Sequence, residues 1–369
     1  MKVLVAMSGG VDSAVAAARA VDAGHEVVGV HLALSRNSGT LRTGSRGCCT
    51  IEDSMDAQRV ANLLGIKFFV WDFSERFKHD IVDDFISEYQ AGRTPNPCMR
   101  CNERIKFAAL MEKALALGFD AIATGHYATV KENNGHLELH RSPALAKDQS
   151  YVLGVLTEEQ LKHVIFPIGV ESDKATIRQE AEARGLAVAQ KPDSYDICFI
   201  PDGDTQGWLR EKLQEEPGVI KDRNGNVLAT HTGTHNYTVG QRKGLSIERP
   251  AKYGKPRYVL EIRPKTKEVI VGPQAALAVN ELAGQKYSWC GKAKENPEVP
   301  FQAEVQVRAH AEPVPCLAQL TQNELKVTLP EPILGVAPGQ TAVIYEGSRV
   351  LGQFTIDRTV SAVATEEDE

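Results

Sequence analysis

The sequence predicts an α/β protein of three parts: an N-terminal parallel-sheet domain, a small central mixed domain and a C-terminal β-barrel. Strand and helix signals alternate over roughly the first 200 residues, as they do in parallel α/β sheets. A stretch rich in Gly, Lys, Arg and β-formers follows, and short period-two strands between Pro and Gly turns fill the remainder. These changes of pattern place the domain boundaries at 1–203, 204–279 and 280–369.

The N-terminal domain opens with a short apolar strand, 2–7, followed by an amphipathic helix that Gly24 ends. The apolar residues that recur at helical spacing are Val11, Ala14, Val15, Ala18 and Val21. Further strands are predicted at 25–32, 67–71 and 120–125. Further helices are predicted at 52–64, 102–117 and 173–184, the last with Gly185 as its C-terminal cap.

The pattern changes after residue 204. A short helix is predicted at 205–213, and period-two strands at 301–307, 325–329, 341–345 and 350–356. Regularly spaced short strands of this kind are typical of a small barrel or sandwich. The acidic tail, 364–369, is predicted to be frayed.

The composition excludes a disordered chain and a membrane-spanning one. Hydrophobic residues make up 42% and charged residues 24%, which is ordinary for a globular protein. No apolar run approaches the ~18 residues of a membrane helix, and the N-terminus lacks the pattern of a signal peptide. We therefore expect a cytoplasmic protein with no membrane partner, in which static disulfides are disfavoured and cysteines are reactive or metal-binding.

A strong local charge lies within residues 221–271. This segment has eleven Lys and Arg and four acidic residues, a net charge of +7 in a chain whose overall charge is −6. Such a segment is either an ordinary solvated surface or the binding surface for a polyanion. The negative overall charge argues against indiscriminate coating of nucleic acid.

The strongest local signal is the sequence SGGVDS, Ser8–Ser13, between the first strand and the first helix. Two adjacent Gly residues let the backbone turn tightly, and the N-terminus of the following helix attracts an anion. Ser8 and Ser13 add hydroxyl donors, and Asp12 is a candidate ligand for Mg²⁺ beside bound phosphates. Because the turn matches neither a Walker A motif nor a G-x-G-x-x-G fingerprint, a phosphate site of another kind is predicted.

Two cysteines, Cys101 and Cys198, carry the signs of reactive thiols. Cys98 and Cys101 follow two prolines, and we place Cys101 at or next to the N-terminus of the helix that follows. The helix end and the nearby Arg100 and Arg104 are expected to favour its thiolate. Cys198 is the second candidate, far away in the sequence.

The other four cysteines carry weaker signals. Cys290 and Cys316 are isolated, and we expect them to be half-buried structural residues. The adjacent pair Cys48 and Cys49 has no clear assignment.

The glycine-containing turn resembles the fingerprint S-G-G-x-D-S of the ATP-pyrophosphatase (PP-loop) superfamily, whose members cleave ATP between the α- and β-phosphates. Over nearly its whole length, the chain is similar to one family in that superfamily, the tRNA-specific 2-thiouridylases. The motifs that carry this resemblance are AMSGGVDS (6–13), TPNPCMRCNERIKF (94–107), ATGHYA (123–128), KDQSY (147–151), DICFI (196–200), YTVGQRKGL (237–245) and APGQ (337–340).

The resemblance implies a PP-loop fold that uses ATP and Mg²⁺ to convert the wobble uridine of tRNA into 2-thiouridine. The uracil 2-oxygen would be adenylylated and then replaced by sulfur from a cysteine persulfide, with release of AMP and pyrophosphate. The implied partners are the tRNA and a sulfur-donating protein, such as a cysteine desulfurase or a sulfur relay protein. The basic segment would contact tRNA phosphates.

The resemblance also implies roles for individual residues. Cys198 would carry the persulfide, and Cys101 would attack it to release sulfide or would close a disulfide with Cys198. The expected ATP contacts are Ala6, Met7, Ser8, Gly9, Gly10, Val11, Asp12, Ser13, Leu32 and Gly125. The expected tRNA contacts are Asn96, Pro97, Cys98, His126, Lys147, Asp148, Gln149, Arg308, Ala309 and Gln340.

Three positions depart from the usual pattern of the family. Cys98 stands where many relatives have Asp, Leu32 where many have Met, and Ala309 where an aromatic residue is common. One alternative is that Cys98, Cys101 and Cys198 ligate an iron–sulfur cluster with one open iron. Two others are an RNA-binding module with ATP as a regulator, and a small-molecule synthetase, for which the basic segment and the barrel would be unnecessary.

Overall fold

The computed structural model describes residues 1–35, 50–193, 197–200, 203–247 and 254–363. Its strands are β1 (Lys2–Ala6), β2 (Glu26–Ala33), β3 (Lys67–Asp72), β4 (Ala121–Ala123), β5 (Ala128–Asn133), β6 (His136–Arg141), β7 (Val164–Ile165), β8 (Gly218–Asp222), β9 (Val227–His231), β10 (Tyr258–Arg263), β11 (Glu268–Gly272), β12 (Ala278–Gly284), β13 (Tyr287–Trp289), β14 (Phe301–Gln306), β15 (Val314–Thr321), β16 (Glu324–Leu334), β17 (Thr341–Glu346), β18 (Arg349–Thr355) and β19 (Arg358–Ser361).

The α-helices are α1 (Val11–Asp22), α2 (Ile51–Leu64), α3 (Ser74–Phe77), α4 (Asp84–Gln90), α5 (Pro97–Cys101), α6 (Met111–Ala116), α7 (Ser150–Leu153), α8 (Glu158–Leu161), α9 (Lys174–Ala183) and α10 (Thr205–Lys212). A π-helical segment, Lys78–Asp83, joins α3 to α4, and another, Asn102–Leu110, joins α5 to α6.

The N-terminal sheet is parallel throughout, in the order β3-β2-β1-β4-β7. Alternate residues of β1 enter separate cores, Leu4 on one side and Val3 and Val5 on the other. A parallel strand buried on both faces is a nearly continuous apolar run, which explains the sequence of β1. The carboxyl ends of β1 and β4 meet at one edge, and the Ser8–Ser13 turn and Gly125 follow there.

The central domain is a small mixed sheet in the order β10-β11-β8-β9. β11 runs parallel to β8, and the other neighbours are antiparallel. Tyr237 and Leu245 are buried in its core with Ile220, Val259 and Val269. The motif at 237–245 is therefore anchored at both ends on this sheet.

The C-terminal sheet is antiparallel, in the order β19-β12-β16-β15-β14-β17-β18-β6-β5, and β13 pairs with β18. Its last two strands come from the N-terminal domain, and β6 joins β18 where His140 lies opposite Arg349. This hairpin is not among the predicted elements. Its signal is Asn134–Gly135, whose φ angles of 50° and 78° suit a two-residue hairpin turn.

The predicted fold class of three parts is confirmed, and the domain boundaries stay predictions. The prediction that a helix begins at residue 102 is wrong, because the helical run already begins with α5 at Pro97. Proline suits the first helical position, where its missing N–H would have no helical partner. Asn96 caps this end, since its side chain accepts a hydrogen bond from the Met99 N–H at 3.1 Å.

In the described residues, no helix combines the length and the apolar character needed to cross a bilayer.

Candidate active site

The Ser8–Ser13 segment, here called the phosphate turn, connects β1 to α1. Gly9 has a φ of +80°, and a Cβ there would lie 2.3 Å from the carbonyl oxygen of Asp53. A Cβ on Gly125 would lie 2.6 Å from the carbonyl carbon of Asp12. Only glycine fits at either position, so close packing fixes the turn at the N-terminus of α1. That helix end favours an anion, and the chain here fits a nucleotide phosphate.

The expected ATP contacts include exposed and buried side chains. Ser8 is exposed, and its Oγ donates to Ser13 Oγ at 3.3 Å, while Ser13 Oγ donates to the Gly10 carbonyl at 2.9 Å. Side chains that lie in the hydrophobic cores are those of Met7, Val11 and Leu32. A nucleotide in the turn would therefore meet Met7 and Val11 through their main chain.

Asp12, the candidate Mg²⁺ ligand, already has two partners. Tyr127 Oη donates to one carboxylate oxygen at 2.8 Å, and Lys174 Nζ donates to the other at 2.5 Å. Burial raises the pKa of Tyr127, and the negative charge of Asp12 raises this pKa further, so the phenol stays a donor. The carboxylate oxygens of Asp12 are metal ligands of the kind that Mg²⁺ prefers, so this residue fits the ion.

A second carboxylate, Asp193, forms ion pairs with three cations from separate parts of the chain. Lys147 lies 2.8 Å from it, Lys174 lies 3.1 Å away and Arg178 lies 3.1 Å away. Burial alone would raise the pKa of Asp193, but hydrogen bonds from Lys147 and Lys174 outweigh burial and lower it. Asp193, Lys174 and Arg178 are not among the predicted site residues. The only available signal was the four-residue spacing of the two cations on a predicted helix.

Lys191 holds the phosphate turn from another side. Its Nζ donates to the Gly9 carbonyl at 3.1 Å and to Asp53 and Asp56 at 2.7 Å each. Burial lowers the pKa of Lys191, but the two carboxylates outweigh burial and raise it, so the ammonium form persists. Lys191 and Asp193 together connect the segment before Cys198 to the turn.

A pocket of about 230 Å³, here called the α5 pocket, lies between α5 and the C-terminal sheet. Its lining is Pro95, Asn96, Pro97, Cys98, Tyr151, Ile197, Val307, Arg308, Ala309 and Gln340. Six of these residues are expected tRNA contacts, drawn from segments more than 200 positions apart. The structure brings them together beside Ile197, the chain neighbour of Cys198.

The C-terminal domain shapes the α5 pocket. The Thr94 N–H donates to the Pro338 carbonyl at 2.7 Å. Gly339 has a φ of +91°, and a Cβ there would lie 2.8 Å from the Thr94 nitrogen. Arg100 Nη2 donates to Thr355 Oγ1 at 2.9 Å. The APGQ turn and β18 therefore fix the loop that leads into α5.

The candidate thiols differ in exposure. Cys101 and Cys198 are half-buried and pack against the same hydrophobic core, and Cys98 is exposed. Cys101 ends α5 and so lies in its second turn, whereas Cys98 is the second residue of the helix. The expectation that Cys101 lies at the helix N-terminus is therefore corrected, because Pro97 starts the helix earlier. Within the described ranges, no three His, Cys, Asp or Glu side chains are placed together as a metal site.

The arginines beside Cys101 are paired. Arg100 Nη1 lies 2.9 Å from Glu103, and Arg104 Nη1 lies 3.0 Å from Asp84. Each of these two arginines therefore has a carboxylate partner in the fold.

His126, an expected tRNA contact, is buried. Its Nδ1 lies 2.6 Å from Thr124 Oγ1, and its ring packs near Phe107 and Phe166. Burial lowers the pKa of His126 well below its ordinary value, and the charge of Lys106 lowers it further. The ring is therefore neutral near pH 7.

The KDQSY motif directs most of its polar groups inward. Asp148 accepts hydrogen bonds from the Ser142 N–H at 2.9 Å and the Ser150 hydroxyl at 2.7 Å. Gln149 Oε1 accepts a hydrogen bond from the Tyr127 N–H at 3.0 Å. Asp148 and Gln149 thus position the chain around Tyr127.

A larger pocket of about 570 Å³, here called the loop pocket, has Arg308 in common with the α5 pocket. Its other lining residues are Gln206, Thr238, Val239, Gly240, Gln241, Lys243 and Gly244. Several cations of the basic segment pair with acidic residues, among them Lys221, Arg263 and Lys267. Part of the positive charge counted in the sequence is therefore neutralised within the fold.

The remaining cysteines include two interior thiols. Cys290 and Cys316 are more deeply buried than the predicted half-buried state, and burial raises the pKa of each to about 12. Cys48 and Cys49 lie outside the described residues, as does the acidic tail.

Comparison with known proteins matches three family models in order along the chain. Residues 1–202 match a tRNA methyl transferase HUP domain, 206–273 a tRNA methyl transferase PRC-barrel domain, and 279–356 an aminomethyltransferase beta-barrel domain.

Similar relatives match nearly the whole chain. The tRNA-specific 2-thiouridylase MnmA of Clavibacter michiganensis subsp. michiganensis (strain NCPPB 382) is 67% identical over 98% of this chain and 95% of its own length. The tRNA-specific 2-thiouridylase MnmA of Leifsonia xyli subsp. xyli (strain CTCB07) is 67% identical over 98% of this chain and 100% of its own length.

Proposed function

The chain belongs to the tRNA-specific 2-thiouridylase family, and from this premise we propose that it is a tRNA-uridine 2-sulfurtransferase. It replaces the 2-oxygen of the wobble uridine of tRNA by sulfur, at the expense of ATP. The observation that carries the proposal is the α5 pocket, in which residues 96–98 meet Arg308, Ala309 and Gln340 beside the neighbour of Cys198.

The first step activates the base. ATP binds at the phosphate turn, where the N-terminus of α1 and the serine hydroxyls hold its phosphates. The uracil 2-oxygen attacks the α-phosphorus, pyrophosphate leaves, and the oxygen becomes part of a good leaving group. Asp12 would hold Mg²⁺, which would offset the charge of the phosphates.

The second step transfers sulfur. A sulfur-donating protein loads Cys198 with a persulfide, whose terminal sulfur attacks C2 of the uracil and expels AMP. The Cys101 thiolate then attacks the Cys198 sulfur, breaks the sulfur–sulfur bond to the base and releases 2-thiouridine. Two thiols become a Cys101–Cys198 disulfide as the transferred sulfur is reduced, and an external dithiol restores them.

The tRNA must present an unstacked base, because a stacked uridine does not expose its 2-carbonyl. The α5 pocket supplies the side chains of Asn96, Arg308 and Gln340 for contacts to the base and its neighbours. Cations of the basic segment contact phosphates, so affinity for tRNA falls steeply as salt is raised.

The test is mass spectrometry of nucleosides from tRNA incubated with ATP, a persulfide donor and the protein. We expect 2-thiouridine and AMP from the wild type, and no 2-thiouridine from Cys198→Ser or Cys101→Ser. Cys316→Ala, which alters a buried thiol in the C-terminal core, is the control and retains the yield. A full yield from both serine variants would refute the thiol roles, and tRNA binding without AMP would indicate a regulatory ATP site instead.

A second measurement separates the persulfide route from an iron–sulfur cluster. We expect protein purified without oxygen to hold no stoichiometric iron, and Cys98→Ser to retain 2-thiouridine formation. Iron at one cluster per chain, together with inactivity of Cys98→Ser, would replace the persulfide route by the cluster.

A further inference from the structure

Three cations surround two carboxylates beside the phosphate turn. Lys174 bridges Asp12 and Asp193, at 2.5 Å and 3.1 Å, and Arg178 and Lys147 complete the shell around Asp193. Three positive charges face two negative ones, so this group, here called the Asp193 cluster, has a positive surplus. The interactions of Lys174 are shielded from solvent, since its side chain is only 13% exposed.

Helix α9 supplies two of these cations. Lys174 is its first residue and Arg178 lies four positions later, so both side chains lie on one face of the helix. Arg178 Nη1 also donates to the Ala189 carbonyl at 2.7 Å, which fixes the guanidinium. The two cations are therefore positioned before any ligand binds, and a ligand that binds to them orders few side chains, so little conformational entropy is lost.

The phosphate turn lacks a cation of its own. In a Walker A loop, a lysine within the motif reaches the β- and γ-phosphates, but Ser8–Ser13 has no lysine or arginine. Backbone N–H groups and the helix dipole offset only part of the charge of a triphosphate. Lys174 contacts the turn directly at Asp12, so it is placed to supply the missing charge.

We propose that Lys174 and Arg178 bind the β- and γ-phosphates of ATP and the pyrophosphate product, and that Asp193 occupies this pyrophosphate subsite in the free protein. The inference rests on the proposed use of ATP at the turn. Asp193 Oδ1 contacts both Lys174 and Arg178, the two cations that phosphate oxygens then take, and Asp193 Oδ2 contacts Lys147. On phosphate entry, Asp193 gives up Lys174 and Arg178 and keeps Lys147.

The test is calorimetric titration of the full chain with Mg·ATP, AMP and Mg·pyrophosphate, without tRNA or sulfur donor. Lys174→Met is expected to weaken ATP and pyrophosphate binding by about tenfold or more, since hydrogen bonds to charged groups are lost, and to leave AMP binding unchanged. Asp193→Asn is expected to tighten ATP and pyrophosphate binding, because the internal competitor loses its charge. Lys162→Met, which removes an exposed lysine paired with Glu159, is the control and changes neither.

The outcomes are separable. Unchanged ATP affinity in Lys174→Met, or equal losses for ATP and AMP, would overturn the subsite. Weaker ATP binding by Asp193→Asn would overturn the role of Asp193, and a gain of affinity cannot arise from misfolding. If the wild type binds ATP as expected but forms no 2-thiouridine, the proposed function fails while the subsite stands. If it binds no ATP, both fail.

Discussion

The phosphate turn and the α5 pocket are built in different ways. The turn is one continuous hexapeptide, and its shape depends on Gly9 and on its contact with Asp53. The α5 pocket draws on segments near residues 96, 197, 308 and 340, and it exists only because the APGQ turn docks on Thr94. The phosphate turn can therefore be predicted from a short motif, whereas the α5 pocket depends on the fold of the whole chain.

The largest effect is expected in the turn. Gly9→Ala adds a Cβ 2.3 Å from the Asp53 carbonyl oxygen and also strains a left-handed backbone. We expect loss of ATP binding in calorimetric titration and a decrease in the free energy of unfolding of about 2–4 kcal/mol.

Gly24→Ala is the matched control. Its φ is +76°, but no atom lies within 4 Å of the added Cβ. Its free energy of unfolding is expected to decrease by about 1 kcal/mol, because of backbone strain alone, and ATP binding is expected to be kept. Equal behaviour of the two variants would show that close packing on Asp53 does not shape the turn.

A smaller and more selective effect is expected in the α5 pocket. Gly339→Ala places a Cβ 2.8 Å from the Thr94 nitrogen and 2.9 Å from Arg93 Cβ, so the loop before α5 must shift. We expect 2-thiouridine formation, measured as kcat/KM for tRNA, to fall about tenfold or more because positioning is lost, while ATP affinity is kept.

Gly347→Ala serves as its control in the same domain. Its φ is +59°, and its added Cβ has no neighbour within 4 Å. Normal thiolation by Gly339→Ala, or a parallel loss in Gly347→Ala, would contradict a pocket held in shape by the C-terminal domain.

The smallest effect concerns His126, which lies after β4 near the turn. Because burial lowers its pKa, folded His126 stays neutral while the unfolded residue binds a proton below about pH 6.5. The contribution of neutral His126 to the free energy of unfolding is therefore present in full above that pH. It falls as the pH is lowered toward the folded pKa, by up to about 1.4 kcal/mol per unit.

Urea unfolding at pH 7.5 and pH 5.5 measures this term. His126→Gln is expected to lose less stability than the wild type on acidification, while His231 and His235, whose pKa values burial also lowers, contribute equally to both proteins. An unchanged pH dependence would mean that His126 is solvated and available to RNA.

The sequence predicted the parts of the site that depend on neighbouring residues. The turn, the strand before it and the helix after it could be predicted, because two glycines and the apolar spacing act within one segment. The start of α5 was predicted too late. Proline cannot continue a helix, but at the first position with an Asn96 cap it begins one.

The missed parts depend on long-range contacts. Asp193 forms ion pairs with Lys147 and Lys174 only after the chain folds, and no sequence motif indicates these contacts. The grouping of Arg308 and Gln340 with Asn96 was expected from family resemblance, since their spacing in the sequence carries no such information. Their individual roles toward tRNA stay predictions.

The hairpin formed by β5 and β6 has a consequence for biosynthesis. Its strand partner, β18, leaves the ribosome more than 200 residues later, and until then the outer edge of β6 has no strand beside it. Pairing across such a sequence separation is slow, because a long loop must close first. The nascent N-terminal domain therefore acquires its final edge only after β18 has been synthesised, by which time the APGQ turn is also available to complete the α5 pocket.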